Sequence, residues 1–410
     1  MGILLTQTNT FLIGGIAKIL GYIMNVIFNV LSSIGIENIG LCIIIFTVII
    51  YTLMLPMTIK QQKFSRLSAV MNPEIQAIQK KYQNKKDQAS MMKMQEETQM
   101  VYAKYGTSPT GGCLGSLIQF PILFALWPVI RNIPAYVTGV KEAYMPLVNE
   151  IIASDTAVKA METIGKSKAI MMDPKNYDFT QKNIIIDALY KFQSSTWETL
   201  SEKLPELTNT IESVKEEVMG MNMFPTAGFG INIAETPWSI FKDALANFSI
   251  VMIIVAISIP VLAGLTQWLS MRLVQKASQV NTGDNAMMNQ MNAMMNFMPL
   301  LSVFMCFTMP SGLGIYWIAS AVVRTLQQIA VNKKLAKESL EELIEKNKEK
   351  VEKKQKKYDK VAGSMINERA HQSTRKVTSN YSGETYRKDA KAGSLASKAN
   401  MVSDFNKNHK

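Results

Sequence analysis

Arg324 has the most chemistry to offer, because it is the one charged side chain inside the long apolar stretches of this 410-residue chain. A charge in hydrocarbon costs about 2.5–3.5 kcal/mol on insertion scales, so its presence marks a candidate functional site. Trp317, Ser320, Arg324 and Gln327 recur at i, i+3, i+7 and i+10, a spacing that puts them on one helical face. Tyr51 stands nine residues before Lys60, and Arg324 nine before Lys333. At a helical rise of 1.5 Å per residue, both lie about 13 Å from the first lysine beyond their stretch. Thr47, Gln119 and Gln267 are further polar side chains deep in apolar sequence and are candidates to line the same cavity. Two plainer readings stand beside this one. Arg324 can snorkel toward lipid headgroups on its long stem, and lone polar residues can serve ordinary interhelical hydrogen bonds.

The elements that carry these residues are read from composition. Apolar residues make up 48% of the chain and mean hydropathy is +0.06, yet the net charge is +12. Such a chain segregates apolar and charged sequence. The three cysteines (Cys42, Cys113, Cys306) all fall in apolar stretches, so no disulfide framework is legible. The two histidines, His371 and His409, lie in the polar tail, leaving no metal cluster or histidine base in the body of the chain. A soluble enzyme is not expected, and neither is a cofactor.

Five apolar windows read as transmembrane helices, Ile39–Met57, Gly111–Ile130, Phe248–Met271, Met294–Met309 and Gly312–Val331, the fourth being short and set off by Pro299 and Pro310. Residues 60–104 carry nine Lys/Arg against four Asp/Glu, and residues 331–410 carry twenty against eleven. Residues 131–243 carry eleven against fifteen. The positive-inside rule makes the two basic regions cytoplasmic and the acidic one external, with the N-terminus outside. Phe11–Ser33 has a polar stripe (Lys18, Tyr22, Asn25, Asn29, Ser32) that suits an interfacial amphipathic helix, with an uncleaved anchor as the alternative.

The resulting division is an interfacial helix (1–36), a first span (37–58), a cytoplasmic helical hairpin (59–110) and a second span (111–132). An extracytoplasmic helical insert (133–247), a third span (248–271), a Met-rich cytoplasmic loop (272–292), fourth and fifth spans (293–310, 311–332) and a basic tail (333–410) follow. The hairpin is read as two helices, with Pro73 early in the first and an Ile75, Ile78, Tyr82 stripe faced by Met91, Met94 and Val101. Met91, Met94, Met287, Met288 and Met291 are candidate contacts for incoming chains, since methionines make adaptable apolar surfaces. Thr196–Met219 reads as helix in the insert, and Phe224–Trp238 as a Gly-rich aromatic segment. The tail reads as an exposed helix extending the last span, then disorder after Ala362.

Four motifs in order carry a resemblance. Gly111-Gly-Cys-Leu-Gly-Ser-Leu-Ile-Gln-Phe-Pro-Ile-Leu-Phe-Ala-Leu-Trp127 resembles the second core span of the YidC insertases, relatives of the mitochondrial Oxa and chloroplast Albino proteins. Leu55-Pro56, the Pro73…Lys81-Tyr82 hairpin and Pro310-Ser-Gly-Leu-Gly-Ile-Tyr-Trp317 are similar to the same family. The resemblance implies an all-α, five-span bundle in the bacterial plasma membrane that passes transmembrane segments of new proteins into the bilayer through a polar groove. It implies nascent clients, lipid, and ribosome and Sec translocon contacts as partners, with no DNA and no small-molecule substrate. The family places a groove arginine five residues before the proline of the Leu-Pro pair, where this chain has Tyr51. Gly115 stands where a proline is common, and Tyr136–Met221 looks like an insertion. A small-solute transporter or channel is the rival reading, although internal repeats are not visible.

Overall fold

The computed structural model describes residues 7–8, 10–11, 13–85, 87–108, 114–167, 178–226, 229–278, 297, 299–339, 341–349 and 353. In chain order the elements begin with α1 (Ile13–Ser33), α2 (Ile39–Leu53), α3 (Leu55–Tyr82), α4 (Gln88–Lys104) and α5 (Leu114–Arg131). Next come α6 (Thr138–Ile152), α7 (Asp155–Ser167), α8 (Lys182–Tyr190), α9 (Ser194–Lys203) and α10 (Thr208–Asn222). Strands β1 (Met223–Thr226) and β2 (Phe229–Asn232) precede α11 (Pro237–Ala246), α12 (Ile250–Ser278), α13 (Pro299–Thr308) and α14 (Ser311–Leu335). A last helix, α15, covers 341–349. Residues Met1–Ile344 form one unit and the chain from Glu345 a second.

The fold is all-α with one small hairpin. Among the described residues, α1 and the Ile250–Leu273 part of α12 are each long and apolar enough to cross a bilayer. The α2–α3 pair passes the same test as a broken span, bent by 59°. Asn38 starts α2 by accepting the Leu41 N–H at 2.9 Å. Pro56, which lacks an N–H, ends α2 at Met54 and then sits harmlessly in the first turn of α3.

Several expectations change. The first hairpin helix does not begin near Pro73: α3 runs unbroken from Leu55 to Tyr82. Pro73 is solvent-exposed and Ala69, whose carbonyl loses its helical donor, is a half-buried residue, and the helix runs on past the missing bond. Thr196–Met219 is two helices, because Pro205 forces Leu204 out of the α region (φ −130, ψ 64). The Phe224–Trp238 segment contains an antiparallel ladder pairing Met223 with Asn232 and Phe224 with Ile231. The tail helix does not continue α14, which stops at Leu335, and its Leu343 is buried.

One large core runs from α1, α2 and α5 through the insert helices to Leu313, Ile315 and Tyr316 of α14. The insert is packed on the helices beneath it, the Tyr190 hydroxyl donating to the Ile130 carbonyl at 3.3 Å. Close helix contact on the other side depends on missing side chains. A Cβ at Gly314 would collide with Ile259 of α12, and one at Gly264 with Val303 of α13. In the hairpin, Glu97 accepts from Lys81 (2.6 Å) and Tyr82 (2.9 Å), while Glu74 accepts from Lys104 (2.8 Å) and Tyr105 (2.6 Å). Val101 faces the stripe as expected, but Met91 points to solvent and is half exposed.

Candidate functional site

Four helices deliver one polar cluster into apolar surroundings. α2 supplies Tyr51, 4% exposed. α5 supplies Gln119, α12 supplies Gln267, and α14 supplies Tyr316 and Arg324. The Arg324 Nη2 donates to Gln267 Oε1 at 3.3 Å, and its guanidinium carbon stands 5.9 Å from the centre of the Tyr51 ring. That ring offers its electron-rich face to the cation. Gln119 Nε2 donates to the Tyr316 hydroxyl at 3.5 Å, and Tyr316 in turn meets Tyr51. The chain of contacts therefore runs Gln119, Tyr316, Tyr51, Arg324, Gln267.

What the cluster lacks is as informative. Among the described residues no carboxylate pairs with Arg324, and its buried Nε has no hydrogen-bond partner. Buried Gln327 Oε1 and Gln328 Nε2 are likewise unmatched, one turn further along α14. Leaving such groups unpaired away from water costs about 1–3 kcal/mol each. The arrangement presents a positive charge and spare amide capacity to an anionic or polar visitor. It contains no nucleophile–base pair.

Of the residues singled out from sequence, Tyr51, Gln119, Gln267 and Arg324 are brought together. Thr47 and Ser320 lie close by in sequence, but their hydroxyls donate to their own helices, to Ile43 O at 2.7 Å and Trp317 O at 2.9 Å. Both are buried. Trp317 is half-buried and packs on the large core. Gln327 shares the Arg324 side of α14 but makes no bond through its buried oxygen. On the hairpin, Met91 is exposed and Met94 half-buried. Met287, Met288 and Met291 lie outside the described residues.

Sequence reasoning missed Tyr316, the residue that joins the two halves of the cluster. A signal existed: Tyr316, Ser320, Arg324 and Gln327 follow spacings of four, four and three, as regular a helical stripe as the one through Trp317.

Comparison with known proteins gives these residues a context. The model of the 60Kd inner membrane protein family matches residues 30–338, about three quarters of the chain. The chain is similar to membrane protein insertase YidC 1 of Halalkalibacterium halodurans, 43% identical over 93 residues, which are 23% of this chain and 36% of that relative. It is 39% identical over 99 residues to membrane protein insertase MisCA of Bacillus subtilis, covering 24% of this chain and 38% of the relative. With membrane protein insertase YidC of Fusobacterium nucleatum it is 24% identical over 297 residues, 72% of this chain and 87% of the relative. The matches to the first two thus span little more than a third of the relatives' length. Since the family model takes in every helix that contributes to the polar cluster, the chain belongs to the 60Kd inner membrane protein family.

Proposed function

We propose that this protein is a bacterial plasma-membrane insertase that moves transmembrane segments of new proteins into the bilayer through a polar groove and performs no covalent chemistry. The observation that carries the reading is the Arg324 guanidinium, which is part-buried in an apolar bundle with Gln267 and Tyr51 beside it and no carboxylate partner among the described residues. A chain keeps such a costly charge when something else supplies the anion. An acidic residue on the translocating part of a client is that anion, passing along Arg324, Tyr51, Gln119 and Tyr316. The names of the relatives support the same reading.

The proposed topology has five spans, an external N-terminus and a cytoplasmic hairpin and tail, on the Lys/Arg asymmetry. α1 then lies along the outer interface. Its support is that residues from both ends of the α1 region reach one short stretch. Gln7 donates to the Ala135 carbonyl at 2.7 Å, and the Thr8 N–H to the Tyr136 hydroxyl at 3.1 Å. Asn25 accepts the Thr138 N–H at 2.8 Å, and Phe28 packs on Gly139. A helix crossing the membrane would separate those contacts by the bilayer's thickness. Nascent clients and lipid are the primary partners, with the ribosome and the Sec translocon as further ones reached through the basic tail and the bundle.

Reconstitution tests the proposal. Proteoliposomes should render a client's translocated segment protease-resistant without conducting small solutes. Solute flux without client protection would replace the insertase reading by the transporter one. For topology, cysteines at Thr180 and Met92, in a background lacking the native ones, should react and stay silent respectively with an impermeant thiol reagent on intact cells. The opposite pattern inverts the topology.

A further inference from the structure

The short segment after α14 grips the cytoplasmic hairpin, and the grip has two parts. The first is polar. Arg66 of α3 donates to the Leu335 carbonyl and to the Glu338 carbonyl (3.5 Å), so a cation sits on the carbonyl end of α14. Beside it, Lys63 Nζ meets Glu338 Oε2 at 3.2 Å in a pair whose side chains are only 28% and 18% exposed.

The second part is apolar. Ser339 restarts the chain as helix by accepting the Glu342 N–H on its hydroxyl at 3.1 Å, the Ser-x-x-Glu pattern of a capped N-terminus. That start aims Leu343, 0% exposed, into the seam where Leu67 and Met71 of α3 meet Val101 and Tyr105 of α4.

The hairpin it grips is built to move as one piece. Glu74 and Glu97 tie α3 to α4 at both ends of their contact. Its connection to the membrane is the 59° break at Met54, where Pro56 lacks the N–H that would continue the helix. A stiff lever and a break at its root are held by one apolar side chain, the Arg66 bonds and a mostly buried ion pair. The helix at the other end of the grip is α14, which carries Arg324 eleven residues, or about 16 Å, before Leu335.

We propose that residues 335–339 and 341–344 form a clasp that holds the hairpin shut over the cytoplasmic base of α14, and that Leu343 must leave its seam before a client segment enters. The second half of this statement rests on the insertase reading; the first does not.

The test uses the full-length protein in proteoliposomes and has two arms. In the first, amide exchange is followed without any client. Leu343→Asp should raise exchange across Arg66–Tyr105 at least tenfold while Leu343→Met leaves it unchanged. No rise, or a rise spread equally over α12, overturns the clasp. In the second, Lys63→Cys and Glu338→Cys in a background lacking the native cysteines are joined by a short reducible bis-thiol reagent. Insertion should be lost on linking and return on reduction; insertion at the unlinked rate overturns the requirement for opening. If the unlinked parent inserts nothing, the insertase reading has failed, and the exchange arm alone decides the clasp.

Discussion

Replacing Arg324 by alanine should make the protein more stable and a worse insertase, two effects with one cause. Burying the guanidinium costs about 2.5–3.5 kcal/mol on insertion scales. One bond to Gln267 at 3.3 Å and a Tyr51 ring at 5.9 Å recover only part of that. Thermal unfolding in detergent should therefore shift upward in Arg324→Ala. A client carboxylate at about 4 Å from the guanidinium would gain about 4 kcal/mol at an effective dielectric near 20, before desolvation. Hydrogen bonds to charged groups net about 1.5–3 kcal/mol, so the variant should insert an Asp-bearing client roughly 10- to 100-fold more slowly. The assay is protease protection of two clients that differ only by Asp or Asn in the translocated segment. The Asn client should be indifferent to the substitution. Adding Tyr51→Arg should restore the Asp client, because the Tyr51 ring already occupies the space beside the guanidinium. Equal losses for both clients, or no rescue by Tyr51→Arg, would refute the pairing and leave Arg324 as a snorkelling residue.

Gly314→Val should lower the unfolding temperature in detergent, since overpacking against Ile259 costs about 1–3 kcal/mol; an unchanged melt would mean α12 and α14 are not in tight contact. Two carboxyls of the 133–247 insert carry a pH dependence. Burial pushes Asp187 up to about 6, against the pull of Lys191, and Glu235 up to about 7, with Asp243 adding to the rise and the Asn232 hydrogen bond opposing it. Both groups hold their protons more tightly folded than unfolded, so their stabilisation is complete below the ordinary carboxylate range and lost as pH rises through about 6 to 7. Stability followed from pH 5 to pH 8 should fall by about 1 kcal/mol on account of Asp187 and about 2–3 kcal/mol on account of Glu235, and Asp187→Asn with Glu235→Gln should flatten the profile. A profile as steep in the double variant as in the parent would assign the dependence elsewhere.

Much of this was legible in the order of residues, for reasons that are local. Apolar runs long enough to cross a bilayer, Pro56 at the end of α2, and the face shared by Ser320, Arg324 and Gln327 follow from helical geometry and from what proline lacks. Matched counts to the flanking lysines also put Tyr51 and Arg324 at one depth, and the structure brings them into contact. Other features were settled by contacts that no local pattern encodes. Pro73 reads as lying early in the first hairpin helix, yet it sits deep inside α3, which already starts at Leu55. Thr47 and Ser320 read as groove residues; the bond from each hydroxyl to its own helix is a local one, but that both are buried is decided by packing. Tyr316 joins Gln119 from 197 residues away, and Leu343 finds a seam whose walls come from two helices more than 230 residues earlier. Periodicity names the face a side chain occupies; only packing decides what stands opposite it, because the partner's place is set by every helix between them.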